Sequence, residues 1–336
     1  MALMAAALAA PVPADCAPRN GLHFICGPVG AEDIGRIPGT PWLVASGLNL
    51  GAPAELSLID TRTKRAQPLY PAAGGAKTRS TADCPGPPDP ATMSTDGLTI
   101  RGSMLYVANH GDRRAVEMFR LDARGRTPTA TWVGCAPVPA HTLPNAVVAL
   151  TGDRLIVSSF HDPDDANAWD EMARREPTGS LWEWRPGHGF RRLEAGPISG
   201  ANGLELSPDE RTLYVSAWSS SKLLVIDLKT LKRREIALDF LPDNIKRAPG
   251  GGLLVGGQKT SVASIAACHG PQCPQDWRVV RLDPSSGRVT PLAARHGDAL
   301  VNYACTGLEV YGTLYITNRG DNRIAWLPVS ALPSLN

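Results

Sequence analysis

No sign of charge dominates this 336-residue sequence: 34 basic against 32 acidic side chains leave a formal net charge of +2. Without a basic stripe or a run of Lys and Arg there is no surface to track a phosphate backbone, so no nucleic-acid partner is expected. Apolar runs of membrane length are missing, which leaves no candidate transmembrane segment. Helical periodicity is nearly absent too; one helix is expected, over 166–175, and helical bundles and coiled coils are excluded. Apolar residues at 43% and charged residues at 20% exclude a globally disordered chain.

What the sequence has in quantity is turn chemistry, with 33 Gly and 30 Pro punctuating short apolar strands along the whole chain. The segments GLTIRGSMLYVANH (97–110), NAVVALTGDRLIVSSFH (145–161), NGLELSPDERTLYVSAW (202–218), NIKRAPGGGLLVGGQ (244–258) and TGLEVYGTLYITNR (306–319) share one pattern: strand, tight polar turn, strand. Most are followed by a third strand, and EDIGRIPGTPWLVASG with AELSLID (32–47, 54–60) forms a sixth, more divergent copy. Six copies of such a meander indicate an all-β chain, a six-bladed β-propeller with four-stranded blades. The last copy runs out of chain after its third strand, so GLHFICG (21–27) is expected to supply the fourth and close the ring. Residues 16–336 are read as this single propeller domain. The apolar MALMAAALAA with the Pro- and Ala-rich residues after it (1–15) is read as a truncated signal or leader, implying a periplasmic or secreted protein.

Seven cysteines suit an oxidising compartment; one must stay unpaired, and Cys268 with Cys273 can close a loop. A zinc site at 268–273 is disfavoured because no second ligand pair of matching spacing follows. The acidic loop at 161–165 lacks the Gly and terminal Glu of an EF-hand, and the glycine-rich 250–261 lacks the Lys of a phosphate loop.

If each copy opens with the innermost strand of its blade, the first residues of those strands converge at one rim of the central channel. They are Glu32, Asp96, Asn145, Asn202, Asp243 with Asn244, and Thr306, all oxygen-bearing. Any one of these is an ordinary strand-flanking residue. Together they would repel one another unless a hard cation sat among them, and Ca²⁺ takes six to eight such ligands. The second strand of each blade returns to the same rim, bringing His110, Phe160 with His161, Trp218, Gln258 and Asn318 as pocket residues, while the connections 73–93, 161–179 and 259–276 can fold over the mouth.

These residues resemble the paraoxonase/arylesterase and senescence marker/gluconolactonase superfamily of six-bladed calcium propellers. NGLELSPDERTLYVS (202–216) is similar to its most recognisable strand pair, and Glu32-Asp33, NHGDRRAVEMFRLD (109–122), LPNAVVAL (143–150) and PDNI (242–245) point to the paraoxonase branch. The resemblance implies Glu32, Asn145, Asn202, Asp243 and Asn244 as ligands of a catalytic Ca²⁺. It also matches Asp33 and the Leu98 carbonyl to parts of a second, structural calcium site, which is weakened because Ala146 stands where the family has an Asp. Asp96 stands where paraoxonases carry the first His of a His dyad and His110 matches the second, so the proton relay does not carry over intact.

The function expected is a calcium-dependent hydrolase of lactones or aryl and carboxylic esters, with Asp243, His110 and Asp96 as catalytic candidates and a small-molecule substrate. The rivals are a calcium-dependent lyase or isomerase on the same propeller, and a non-enzymatic binding propeller with a structural metal.

Overall fold

A computed structural model describes residues 16–48, 55–70, 84–268, 275–296 and 300–332; the leader expected over 1–15 lies outside them. Six separate four-stranded antiparallel sheets form the blades of a β-propeller. Their innermost strands, Ala31–Arg36, Thr95–Arg101, Pro144–Leu150, Ala201–Leu206, Leu241–Arg247 and Ala304–Val310, define blades 1 to 6.

The burial pattern explains the sequence pattern. An inner strand lies between two neighbouring blades, so every residue of Pro144–Leu150 is buried and, Asn145 apart, the strand reads as a small or apolar run. Its outermost partner, Gly189–Ile198, is mostly solvent-facing and reads as an alternation. The apolar core is therefore distributed between blades. One cluster joins Val44 and Leu58 of blade 1 to Leu98 and Val107 of blade 2, and another joins Val148 and Leu150 of blade 3 to Leu204 and Val215 of blade 4. Each such side chain stabilises the fold by about 1.5–3 kcal/mol.

Ring closure follows the expectation: His23–Cys26 adds antiparallel to Arg323–Pro328 as the fourth strand of blade 6, with Ile25 opposite Ile324. Pairing the two ends of the chain in one sheet removes two exposed edges. Disulfides join Cys16 to Cys26 on this strand and Cys84 to Cys135 on blade 2. Cys268 is also disulfide-bonded; Cys273, its expected partner, lies outside the described residues. The free cysteine among the described residues is Cys305, which is buried.

Two short helices occupy the long connections at the mouth. The first, α1 (Ala168–Ala173), falls inside the helix expected over 166–175 and is shorter. The second, α2 (Val262–Ala266), starts at Ser261, whose hydroxyl accepts from the Ser264 N–H (3.1 Å). Five residues are too few to display a helical period, so α2 left no signal in the sequence. Met172 of α1 and Val262 and Ile265 of α2 pack together with Trp218, Leu241 and Tyr303. The third connection, 73–93, lies largely outside the described residues. No helix among those residues is long and apolar enough to cross a membrane.

One irregularity repeats in all six blades. Each inner strand carries a β-bulge in which two residues face a single residue of the second strand: Glu32-Asp33, Asp96-Gly97, Asn145-Ala146, Asn202-Gly203, Asp243-Asn244 and Cys305-Thr306. A bulge bends its strand and re-aims side chains, which is why bulges gather beside functional sites. Where the facing residue is Ser46, Ser158 or Thr317, its hydroxyl accepts from a bulged N–H, that of Asp33 (3.1 Å), Ala146 (2.9 Å) or Thr306 (2.9 Å). Ser158 also donates to the Asn202 carbonyl (2.7 Å) and Thr317 to that of Glu32 (2.7 Å), tying each bulge to the next blade. At Gly203 a Cβ would stand 2.4 Å from the Asp243 carbonyl oxygen, so only glycine lets these two bulges touch.

Candidate active site

The six bulges arrange the channel in tiers. The first bulged residues form a middle tier of Glu32, Asp96, Asn145, Asn202, Asp243 and Cys305; the second form an inner tier of Asp33, Gly97, Ala146, Gly203, Asn244 and Thr306. At the end of the second strand in blade 5, and one residue beyond it in the others, lies a mouth tier of Leu48, His110, Phe160, Trp218, Gln258 and Arg319. All six of the mouth tier and the first five of the middle tier line one cavity of about 310 Å³, together with His161, Trp169 of α1, Ile265 of α2 and Tyr303. That volume suits a small molecule.

The middle tier is a concentration of unsatisfied oxygen. Glu32 Oε2, Asp96 Oδ1, Asn145 Oδ1 and Asn202 Oδ1 are buried and have no hydrogen-bond partner, in side chains of residues at most 8% exposed. All four are acceptors; only a donor or a cation satisfies them. A carboxylate oxygen of Glu32, one of Asp243 and the Cys305 Sγ lie within 4.8 Å of one another. Burial, followed by the charges of Asp96, Asp243 and Asp33, pushes the Glu32 carboxyl well above the usual carboxylate range. Burial raises Asp96 as well, with His110 opposing, and raises Asp243 to about 7 against the pull of the Gln258 hydrogen bond. Carboxylates buried at a cost of several kcal/mol each fit a divalent cation, which stabilises their charged form.

Each catalytic candidate is held by a partner. Trp218 Nε1 donates to Gln258 Oε1 (2.9 Å), fixing the amide so that Gln258 Nε2 donates to Asp243 Oδ2 (2.7 Å) and to the Ala304 carbonyl (2.8 Å). His110 Nε2 lies 3.2 Å from Asp96 Oδ2 and also contacts the Pro144 carbonyl oxygen. A carbonyl can only accept, so Nε2 carries a proton and Nδ1 is left as the basic nitrogen of the neutral ring. Asn145 Nδ2 donates to the same Asp96 oxygen (3.2 Å), which leaves its unpartnered Oδ1 as the free acceptor of that amide. Above them Phe160, Trp169 and Trp218 meet edge to face with centroids 5.4–6.2 Å apart, an apolar wall.

The inner tier is already neutralised. Lys246 Nζ donates to Asp33 Oδ2 (2.8 Å) and reaches the Leu98 carbonyl (3.4 Å). Thr306 Oγ1 donates to Asp33 Oδ1 (2.8 Å), and the Leu98 N–H to Asp33 Oδ2 (2.9 Å). The two groups assigned to a second calcium ion are thus bound to an ammonium, and with Ala146 in place of a carboxylate the residues present do not fit a second ion.

No family model and no curated protein matches the chain. Among solved structures, a gluconolactonase from Xanthomonas campestris superposes with a TM-score of 0.58 at 18% identity, over 93% of this chain and 89% of its own. A luciferin-regenerating enzyme superposes with a TM-score of 0.57 at 14% identity, over 93% and 97%. The likeness is one of fold.

Of the ligands expected from the sequence, Glu32, Asn145, Asn202 and Asp243 meet at the cavity. Asn244 lies one tier deeper, where its Nδ2 donates to Glu32 Oε1 (2.7 Å). Thr306 also belongs to the inner tier; the middle-tier residue of blade 6 is Cys305, because the bulge there begins one residue earlier. Phe160, His161, Trp218 and Gln258 line the cavity as expected. Asn318 does not: its Oδ1 accepts from the Asn302, Tyr303 and Gly320 N–H groups (3.1–3.2 Å), shaping the loop that carries the cavity residue Arg319. Counting one residue past each strand, as for His110, would have found Arg319. Nothing local marks Trp169, Ile265 or Lys246.

Proposed function

We propose that the chain is a metal-dependent hydrolase of lactones or of aryl and other carboxylic esters, with Ca²⁺ held by Glu32, Asn145, Asn202 and Asp243 and with Asn244 bracing Glu32. The observation that carries this reading is the set of four buried, unpartnered oxygens beneath an aromatic-walled cavity. Bound there, the ion supplies a Lewis acid for the substrate carbonyl. Asp243, pinned by Gln258 and Trp218, is the carboxylate placed to take a proton from water. His110, oriented through Nε2 by Asp96 and the Pro144 carbonyl, offers Nδ1 as the alternative base. Phe160, His161, Trp169 and Trp218 bind the apolar part of the substrate and exclude water, and Arg319 places one cation in the wall.

The resemblance of the motifs to calcium propellers, and the fold shared with a gluconolactonase and a luciferin-regenerating enzyme, support the same reading. The disulfides support a periplasmic or secreted site of action. The Asp96–His110 pair also favours a second reading, proton transfer at carbon by a lyase or isomerase. The test is a panel of lactones and aryl esters with chelated and metal-restored protein, with products weighed by mass spectrometry. Hydrolysis adds one water, giving a single hydroxy acid from a lactone and an acid plus a phenol from an aryl ester; a rearranged or eliminated product supports the second reading. Turnover indifferent to chelation overturns the metal's role, and a metal-dependent melt with no turnover of any substrate leaves a binding propeller.

A further inference from the structure

Five of the six middle-tier residues offer oxygen; the sixth, Cys305, offers sulfur. We propose that Cys305 is a metal ligand, and that Glu32, Asp243 and Cys305 form a three-ligand centre for a thiophilic divalent cation of the zinc class. This inference rests on the metal-site reading above and refines its cation.

The bulges of blades 5, 6 and 1 place Asp243, Cys305 and Glu32 side by side on one arc of the tier, facing Asp96, Asn145 and Asn202 on the other. Cys305 is fully buried and free of any disulfide. A buried free cysteine is ordinarily a small apolar filler. This one is not in that setting, since its Sγ stands within 4.8 Å of two carboxylate oxygens, hydrogen-bonds to the Asp243 carboxylate and makes a weak contact of 3.4 Å with the Tyr303 carbonyl. A second observation points to a ligand independently: Glu32 Oε2, 97% withdrawn from solvent with its residue, has no partner.

Two carboxylates and one thiolate are ligand types that zinc takes, and three of them have the ligand number of a catalytic site, with a fourth position open. Zinc bond lengths place such ligand atoms about 3.3–3.5 Å apart around a tetrahedron, a closing of at most about 1.5 Å for atoms that lie within 4.8 Å of one another here. Calcium has no use for sulfur, whereas thiolate selects zinc and its borderline-soft relatives. The sulfur therefore discriminates between cations that the five oxygens alone would not separate.

The probe is Co²⁺ added to full-length, chelated protein. The expected result is binding of one Co²⁺ per chain with a near-ultraviolet thiolate-to-cobalt charge-transfer band. In Cys305→Ser the band is expected to vanish and Zn²⁺ affinity to fall by about 100-fold or more, with Ca²⁺ affinity nearly unchanged. X-ray absorption at the zinc edge of the unaltered protein needs no variant and is expected to show one sulfur at about 2.3 Å. Co²⁺ bound without the band, zinc without a sulfur neighbour, or Zn²⁺ affinity intact in Cys305→Ser overturns the thiolate ligand while leaving the oxygen site standing. Failure to bind Zn²⁺, Co²⁺ and Ca²⁺ alike overturns both.

Discussion

The middle and inner tiers of the channel differ by one residue in each strand and solve the same electrostatic problem in opposite ways. In the inner tier the Asp33 carboxylate is bound by Lys246, Thr306 and the Leu98 N–H, so its charge is neutralised from within the chain. In the middle tier Glu32, Asp96 and Asp243 are buried with Asn145 and Asn202, and four side-chain oxygens of this set lack partners. A tethered ammonium is permanent and closes its site. A buried cluster short of positive charge is costly to the fold, and a cation binding there would offset that cost.

The comparison breaks most severely if its closed tier is opened. Lys246→Met leaves Asp33 buried without its cation, for which about 3–5 kcal/mol of destabilisation is expected. Chemical denaturation measures that loss, and calorimetry with Ca²⁺ is expected to show partial rescue of the variant by an ion entering the vacated position. A variant as stable as the parent would mean that the ammonium is not what holds the inner tier. Next in size is Asp243→Asn in the middle tier. A loss of at least ~10² in kcat is expected, persisting at saturating metal because a proton acceptor has gone as well as a ligand. Glu32→Gln sharpens the distinction: steady-state kinetics across a metal titration should show its activity returning in part at high metal, as for a ligand without a further chemical role.

Two smaller effects test the supports. Asp96→Asn and His110→Gln, singly and together, are expected to give similar and non-additive losses in kcat/KM if the pair works as a unit; additive losses would assign both to packing. Thr306→Val, which removes a neutral hydroxyl from Asp33, is expected to cost about 1–3 kcal/mol in urea melts, with kcat/KM unchanged at saturating metal.

Much of the fold that carries these tiers is legible in the sequence. Strand, turn and strand recur with enough regularity to disclose six blades, and the missing fourth strand of the last blade pointed back to 21–27. Both follow from local chemistry, period-two burial and turn residues, which survive in the order of amino acids. Glu32, Asn145, Asn202 and Asp243 are legible as cavity residues for the same reason, since each stands near the start of an inner strand. The errors were of register. Thr306 and Asn318 were each displaced by one place from the positions that matter, Cys305 and Arg319, because a bulge and a strand end shift the count without altering composition.

The sequence by itself determined the blades, their closure and most of the oxygen donors, because these depend on residues near one another in the chain. Only the tertiary structure decided which donors stay unsatisfied. Lys246 reaches Asp33 across 213 positions and Asn244 reaches Glu32 across 212. Pairings of that range depend on how six blades close around one axis, and so on packing between blades that no local pattern encodes. The same closure set the Cys305 sulfur beside two carboxylates and buried four neighbouring oxygens without a hydrogen-bond partner.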